Sequence, residues 1–427
     1  MSAPVANADS GNVLPVDVLI VGGGVAGLWT LDVLRRAGFA CVLIENAALG
    51  TGQTVGSQGI VHGGLKYTLS GTLTRSAQAI REMPQVWRDA LDGKPGQPDA
   101  SATKMRSQFC HLWRTGRWSS RLGMVGARVG LRVKPQRIER GAWPGVLSAV
   151  GDVFRLEEQV VDPASFVAAL AGLHAECLVR VDGDPVVERD AQGVTTWNVT
   201  SQGETLRFAP RLVALTAGLG NATLRELAGI TEPRMQRRGV HMILAREANP
   251  GSGALPVLNG HCVDGQKTRV TITTDRDAQG RTVWQVGGQV SEDGTDMDAD
   301  ALVRHAAVEV SASLGGRDVT TGVAWSTYRL DKAEVTTAGG LRPDDAFVER
   351  SGGRGDVLTC WPTKLALAPR VAELVLNEAK SFCETNALDA QRLAEALRSV
   401  QRPDVAAPPW EQPRDWLALP GHAEVTP

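Results

Sequence analysis

The chain of 427 residues lacks any large excess of charge of one sign: 45 Lys and Arg stand against 47 Asp and Glu, for a formal net charge of −2. With a sequence pI near 6.4 it carries no overall electrostatic footprint for nucleic acid. It also lacks a CxxC pair. Its six cysteines (Cys41, Cys110, Cys177, Cys262, Cys360 and Cys383) are scattered, which excludes a zinc ribbon and a disulfide framework and leaves reduced, buried thiols. No residue is therefore assigned to a metal. No Lys or Arg precedes Arg35, so the basic region of a secretory signal is missing. Uninterrupted apolar runs of about 18 residues are absent as well, which argues against a transmembrane helix. The expected location is cytoplasmic, with peripheral attachment at the inner face of a membrane left open.

What is present is a glycine-punctuated alternation of strands and helices. After a leader over residues 1–13, Val16–Val21 (VDVLIV) is a short continuous apolar run suited to a strand buried on both faces. GVAGLWTLDVLRRAG follows with helical spacing at Leu28, Leu31 and Leu34, and Gly38 is a natural stop. CVLIE, ending at Glu45, is the next strand. Gly22, Gly24 and Gly27 form GxGxxG at the strand-to-helix turn. The first allows the turn, the second lets a pyrophosphate approach, and the third lets helix and strand pack closely. Helix N-terminal N–H groups then hold the phosphates, and Glu45 stands where a carboxylate accepts from a ribose 2′-hydroxyl. That carboxylate would repel the 2′-phosphate of NADP, but the unit alone does not separate NAD from FAD.

A second glycine-rich stretch, GSQGIVHGGLKY from Gly56 to Tyr67, is too rich in glycine for a regular helix or strand and too apolar for a linker. With TGQTV before it, it offers a backbone that an extended flavin could lie against, and Thr54, Ser57, Gln58, Gly59 and His62 are its candidate contacts. TAGLG, residues 216–220, is a third glycine-bearing strand end, with Gly218 as its candidate contact. His241 in RRGVHMILA, Arg329 in WSTYRLD and Lys364 in CWPTKLAL are single polar groups in apolar surroundings. Such groups are more often structural or solvent-seeking than catalytic.

The middle of the chain is richer in strands, with hairpins expected at the two DAQG turns, 190–193 and 277–280. Helices are expected after Pro369 and over LDAQRLAEALRSV, followed by an irregular surface tail rich in Pro and Trp. The class is α/β (α+β overall): a Rossmann-like dinucleotide-binding domain, FAD-binding by the family resemblance below, with an inserted β-rich substrate domain. The division reads as 14–80, 152–232 and 340–400 for the cofactor, 81–151 and 233–339 for the substrate, and 401–427 for the tail.

Taken in order, these segments resemble the FAD-dependent oxidoreductases of the D-amino-acid-oxidase superfamily. Flavin-dependent glycerol-3-phosphate dehydrogenases are the nearest likeness, with a further likeness to 2-hydroxyglutarate dehydrogenases. The resemblance implies FAD as cofactor, with VGGGVAG and Glu45 as the ADP-binding unit, GSQGIVHGGLKY as the flavin-facing loop and LVALTAG as a second nucleotide contact. It places Val186 at the adenine ring and TKLALAPRVAELV in the closing flavin segment. It also implies oxidation of a small anionic secondary alcohol by hydride transfer to flavin N5. His241 would be the base, Lys66 and Arg329 would hold the anion, and Lys364 would lie near flavin N1. Lys66 stands where those dehydrogenases carry an arginine, and Pro362–Thr363 replaces two glycines. The same fold with an amine or amino-acid substrate is the main alternative, and a non-catalytic flavin-binding protein is another. An aromatic hydroxylase would need more than the Gly355–Asp356 pair. Oxygen, a quinone and another flavoprotein all fit as electron acceptor.

Overall fold

The computed structural model describes residues 13–62, 75–116, 135–191, 194–264, 267–340, 343, 345–351 and 355–420. The expected leader, except Val13, lies outside them, as does Lys66.

Strand β1 (Val13–Val21), helix α1 (Val25–Arg36) and strand β2 (Cys41–Glu45) form the expected βαβ unit. β1 lies between β2 and the strand Glu204–Leu215, parallel to both. Leu178–Arg180 extends this sheet beyond β2, and Val357–Trp361 extends it in parallel beyond Leu215. Buried on both faces, β1 is apolar from Val18 to Val21 without alternation. α1 covers one face with the helix Ala368–Phe382, and Leu28, Leu31 and Leu34 reach that core with Val371 and Val375. Each such side chain, at 1% exposure or less, contributes roughly 2 kcal/mol of apolar transfer. The helix Ala387–Ala396 sits against the other face through Leu393 and Leu397.

A second, nine-stranded sheet holds the β-rich part of the chain. Its third strand from one edge is Met235–Glu247, antiparallel to Val323–Val335 on one side and to Thr282–Gly287 on the other. One face is covered by the helix Ala299–Ser313, with Ile243, Ala245, Trp284 and Trp325 in the core between them. Both DAQG segments join antiparallel strands, as their turn chemistry predicts.

Sheet membership redraws the expected domain borders. Asp152–Leu156, expected in the cofactor unit, pairs with Cys110–Arg114 in the second sheet. Met83, Trp87 and Ala90, expected in the substrate unit, pack into the α1 core. All six cysteines are buried thiols. Among the described residues no helix is long and apolar enough to cross a membrane.

The tail is irregular and largely at the surface, as expected, but buried residues anchor it to both sheets. Leu49 N–H donates to Asp404 O and Ala406 N–H to Leu49 O, so the tail first pairs with the loop after β2. It then crosses to the second sheet, where Trp410 is buried against Leu244 and Val283, and Leu417–Ala418 pairs with Ala324–Trp325. The buried Arg106 guanidinium lies over the Trp410 ring at 5.2 Å and bonds Asp275 at 2.7 Å. Truncating this anchor leaves a cavity in a packed seam. Trp410→Ala is therefore expected to cost about 3 kcal/mol of stability, read as a lowered denaturant midpoint of the FAD-loaded protein.

Candidate active site

A cavity of about 760 Å³ runs from the β1–α1 turn to the second sheet. At one end the glycines act as the sequence requires. Gly22 has φ +111°, and a Cβ there would stand 2.4 Å from the Ala217 Cα. A Cβ on Gly27 would stand 2.1 Å from the Gly22 carbonyl oxygen. Thr216 Oγ donates into this junction, to Gly22 O at 2.8 Å, so the third glycine-bearing segment is tied to the first. Gly24 borders the cavity beside Thr54, whose Oγ1 accepts from Val25 N–H at 3.2 Å. Glu45 accepts from Gly23 N–H at 2.6 Å and Ala47 N–H at 2.8 Å, which fixes its carboxylate at the cavity edge. Thr54, Ser57, Gln58, Gly59, His62, Gly218 and Lys364 all line the cavity.

Val186 does not. It is 58% exposed because it opens an edge strand, Val186–Arg189, and the lining here is Val181, Gly183, Asp184 and Pro185. Gly59 also has a different reason from the one expected. Its φ is +70°, and a Cβ would stand 2.0 Å from the Val161 carbonyl oxygen, so protein backbone already demands this glycine. Thr363, in place of an expected glycine, keeps a glycine-like conformation with φ +59°.

His241 does not line the cavity, whereas Arg329 does. They are directly paired across adjacent strands and so share one face of the sheet. That face is the one turned to the Ala299–Ser313 helix, whereas Val240 and Met242, on the opposite face, line the cavity. The His241 ring is buried, with Nδ1 3.2 Å from Gly294 O and Nε2 2.9 Å from Thr327 Oγ1. Burial and then the Arg329 charge hold its pKa below the ordinary histidine value. Arg329 borders the cavity, but its guanidinium donates to Thr295 O at 2.7 Å and Met297 O at 2.9 Å.

The polar groups brought to the inner end of the cavity are instead His62, Glu158 and His261. Glu158 is 2% exposed, with Oε2 3.5 Å from His62 Nδ1 and 3.5 Å from His261 Nε2. The two rings lie 5.6 Å apart. Burial alone would raise the Glu158 carboxyl pKa, but His261 and His62 outweigh it and hold the group well below the usual carboxylate range. His261 Nδ1 is fixed by Thr271 Oγ1 at 2.9 Å. Glu158 and His261 carry no local motif. They meet His62 only because the turn after Asp152–Leu156 and the strand Gly260–Asp264 converge beside the glycine loop.

A family model described as FAD dependent oxidoreductase matches residues 17–363. A probable FAD-dependent oxidoreductase of Pseudomonas aeruginosa is 38% identical over 406 residues, 93% of this chain and 98% of that protein. The crystal structure of a Pseudomonas aeruginosa FAD-dependent oxidoreductase superposes with a TM-score of 0.76 at 34% identity, over 94% of this chain and 98% of that one. Two more distant structures share the fold. Glycine oxidase from Geobacillus kaustophilus has a TM-score of 0.61 at 14% identity, over 87% of this chain and 96% of that one. The L-alpha-glycerophosphate oxidase from Mycoplasma pneumoniae, with FAD bound, has 0.59 at 13%, over 91% and 96%. The Gly22–Gly27 cradle, the fixed Glu45 carboxylate and the long cavity fit FAD.

Two outcomes test this geometry. Glu45→Ala removes a charged acceptor at the nucleotide end, and FAD affinity should fall about 10- to 100-fold, measured by titrating apoprotein against flavin fluorescence. His241→Gln should slow flavin reduction far less than the ~10²-fold loss that removing a general base brings, measured by stopped-flow absorbance with an active substrate.

Proposed function

Since the chain belongs to the family of FAD-dependent oxidoreductases, we propose that it oxidises a small secondary alcohol bearing an anionic group, of the glycerol 3-phosphate or 2-hydroxy acid type. The observation that carries this reading is the carboxylate-backed imidazole at the inner end of the cavity. An alcohol holds its hydroxyl proton tightly and needs a base as its C–H bond breaks, and a histidine titrating near neutrality is suited to that task. FAD, when bound, supplies the two-electron acceptor that takes the hydride.

The chain's own residues bind, orient and exclude water. Thr54 and Glu45 stand at the nucleotide end, and Lys364 lines the cavity in the segment that closes over the flavin. Its positive charge favours a cofactor that becomes anionic on reduction. Val240, Met242 and Leu330 provide an apolar wall, which keeps the reacting carbon out of water. Arg329, held by two carbonyls, supports the Thr295–Met297 segment in this reading instead of clamping the substrate anion. Lys66 keeps the role of anion partner that the resemblance gives it.

A second reading has its own support. Glu158 and Glu292 both line the cavity, and two carboxylates favour a substrate that carries an ammonium group. An anaerobic titration of the FAD-loaded protein separates the two. Bleaching of the flavin by glycerol 3-phosphate or a 2-hydroxy acid is the expected result. Bleaching by amino acids or secondary amines alone would transfer the assignment to C–N oxidation.

A further inference from the structure

His62, Glu158 and His261 come from three segments nearly a hundred residues apart, yet they converge on one oxygen. His62 Nδ1 and His261 Nε2 each lie 3.5 Å from Glu158 Oε2. Their exposures are graded. The His62 side chain is 37% exposed, that of His261 is 4% and that of Glu158 is 3%. The cluster therefore has one end toward the cavity and one end in the interior.

Resting on the function proposed above, we propose that His62 is the residue that takes the substrate's proton, and that Glu158 and His261 behind it form a relay that positions and charges that ring. With Nδ1 turned to Glu158, a proton accepted by His62 arrives at Nε2. The carboxylate then faces an imidazolium, which it stabilises as the carboxylate of a hydrolase triad does. His261 is a positioning residue: Thr271 Oγ1 holds its Nδ1 at 2.9 Å and so aims Nε2 at the same carboxylate. Among the described residues the Cys110 thiol also lies beside Glu158, and burial and then the Glu158 charge raise its pKa. The buried carboxylate offsets the charge that the substrate's proton brings to the ring.

The step balances with the family's cofactor as oxidant. The O–H and C–H bonds of the alcohol break and the carbonyl π bond forms. The hydroxyl proton goes to His62 Nε2, and the hydride, with both C–H electrons, goes to FAD. On flavin reoxidation the proton leaves the relay to solvent.

The test reads the rings directly. FAD-loaded protein carrying isotope-labelled histidine is titrated by NMR from about pH 5 to about pH 9, and the two rings are assigned from His62→Gln and His261→Gln variants. The expected result is a coupled titration in two steps. Glu158→Gln should lower the upper step by about one unit or more, and Glu158→Asp should restore it. In Glu158→Gln, flavin reduction near pH 7 should slow about 10²-fold with FAD still bound. Two results would overturn the relay. One is a pair of ordinary histidine titrations unmoved in Glu158→Gln. The other is stoichiometric zinc uptake by calorimetry that Glu158→Gln abolishes, since the cluster would then be a metal site. If the coupled titration is found but only amines bleach the flavin, the relay stands and the alcohol assignment falls.

Discussion

The Gly56 carbonyl is the joint on which the relation between the two halves depends. It accepts from Tyr328 Oη at 2.7 Å and from Gln285 Nε2 at 3.0 Å, both on the second sheet. Gln285 in turn meets the Tyr328 hydroxyl, and two residues further on Gln58 donates to Thr271 O and Gln285 O. Each neutral bond adds only about 1 kcal/mol net, yet these groups are buried or half-buried, and losing one partner would strand the other. The loop between β2 and His62 is thereby fastened to the substrate wall. Its beginning is fastened at Leu49 to the C-terminal segment, which itself crosses to the second sheet. Nucleotide cradle and substrate wall are held at one spacing because a single loop is bonded at both ends.

That fastening changes the meaning of the glycines in the loop. They look like clearance for a flavin, and Gly56 and Gly59 do line the cavity. At Gly59, however, the occupied space is the Val161 carbonyl, and at Gly56 it is the Gly52 carbonyl, 2.7 Å from a notional Cβ. The backbone was cleared first so that the chain could fold back on itself. The route this forces on the loop delivers His62 to Glu158. Chemistry at the inner end is thus a consequence of steric demand in the loop, not a separate feature placed beside it.

The nucleotide half was legible in the sequence because its rules are local. A tight turn, a helix start and a buried strand each need certain residues within a few positions, and Gly22, Gly24, Gly27 and Glu45 are within that range. His241 was misleading for an equally physical reason. In a strand buried on both faces, side chains alternate but their character does not: 241, 243 and 245 are His, Ile and Ala, and 240, 242 and 244 are Val, Met and Leu. Nothing in that pattern says which set meets the cavity, and a shift of one residue exchanges every side chain between faces. Glu158 and His261 were invisible because their partner is distant in sequence. A glutamate just before a strand, here the second of the pair Glu157–Glu158, has many ordinary uses, and only the meeting of 62, 158 and 261 gives it another.

The exchange of roles between His241 and His62 also changes what controls the reaction. A base at His241 would be a single ring hydrogen-bonded to a carbonyl and a hydroxyl, with a pKa lowered by burial and by Arg329. Such a ring accepts a proton reluctantly, and the new charge would stand beside the Arg329 guanidinium. At His62 the balance is reversed. In the proposed alcohol oxidation the carboxylate behind the ring offsets the new charge, and partial exposure lets the proton leave. Burial at the far end of the cluster keeps Glu158 paired with imidazoles instead of water, so its full charge acts on them. The same three side chains, shifted so that Glu158 reached solvent, would lose most of that effect to screening.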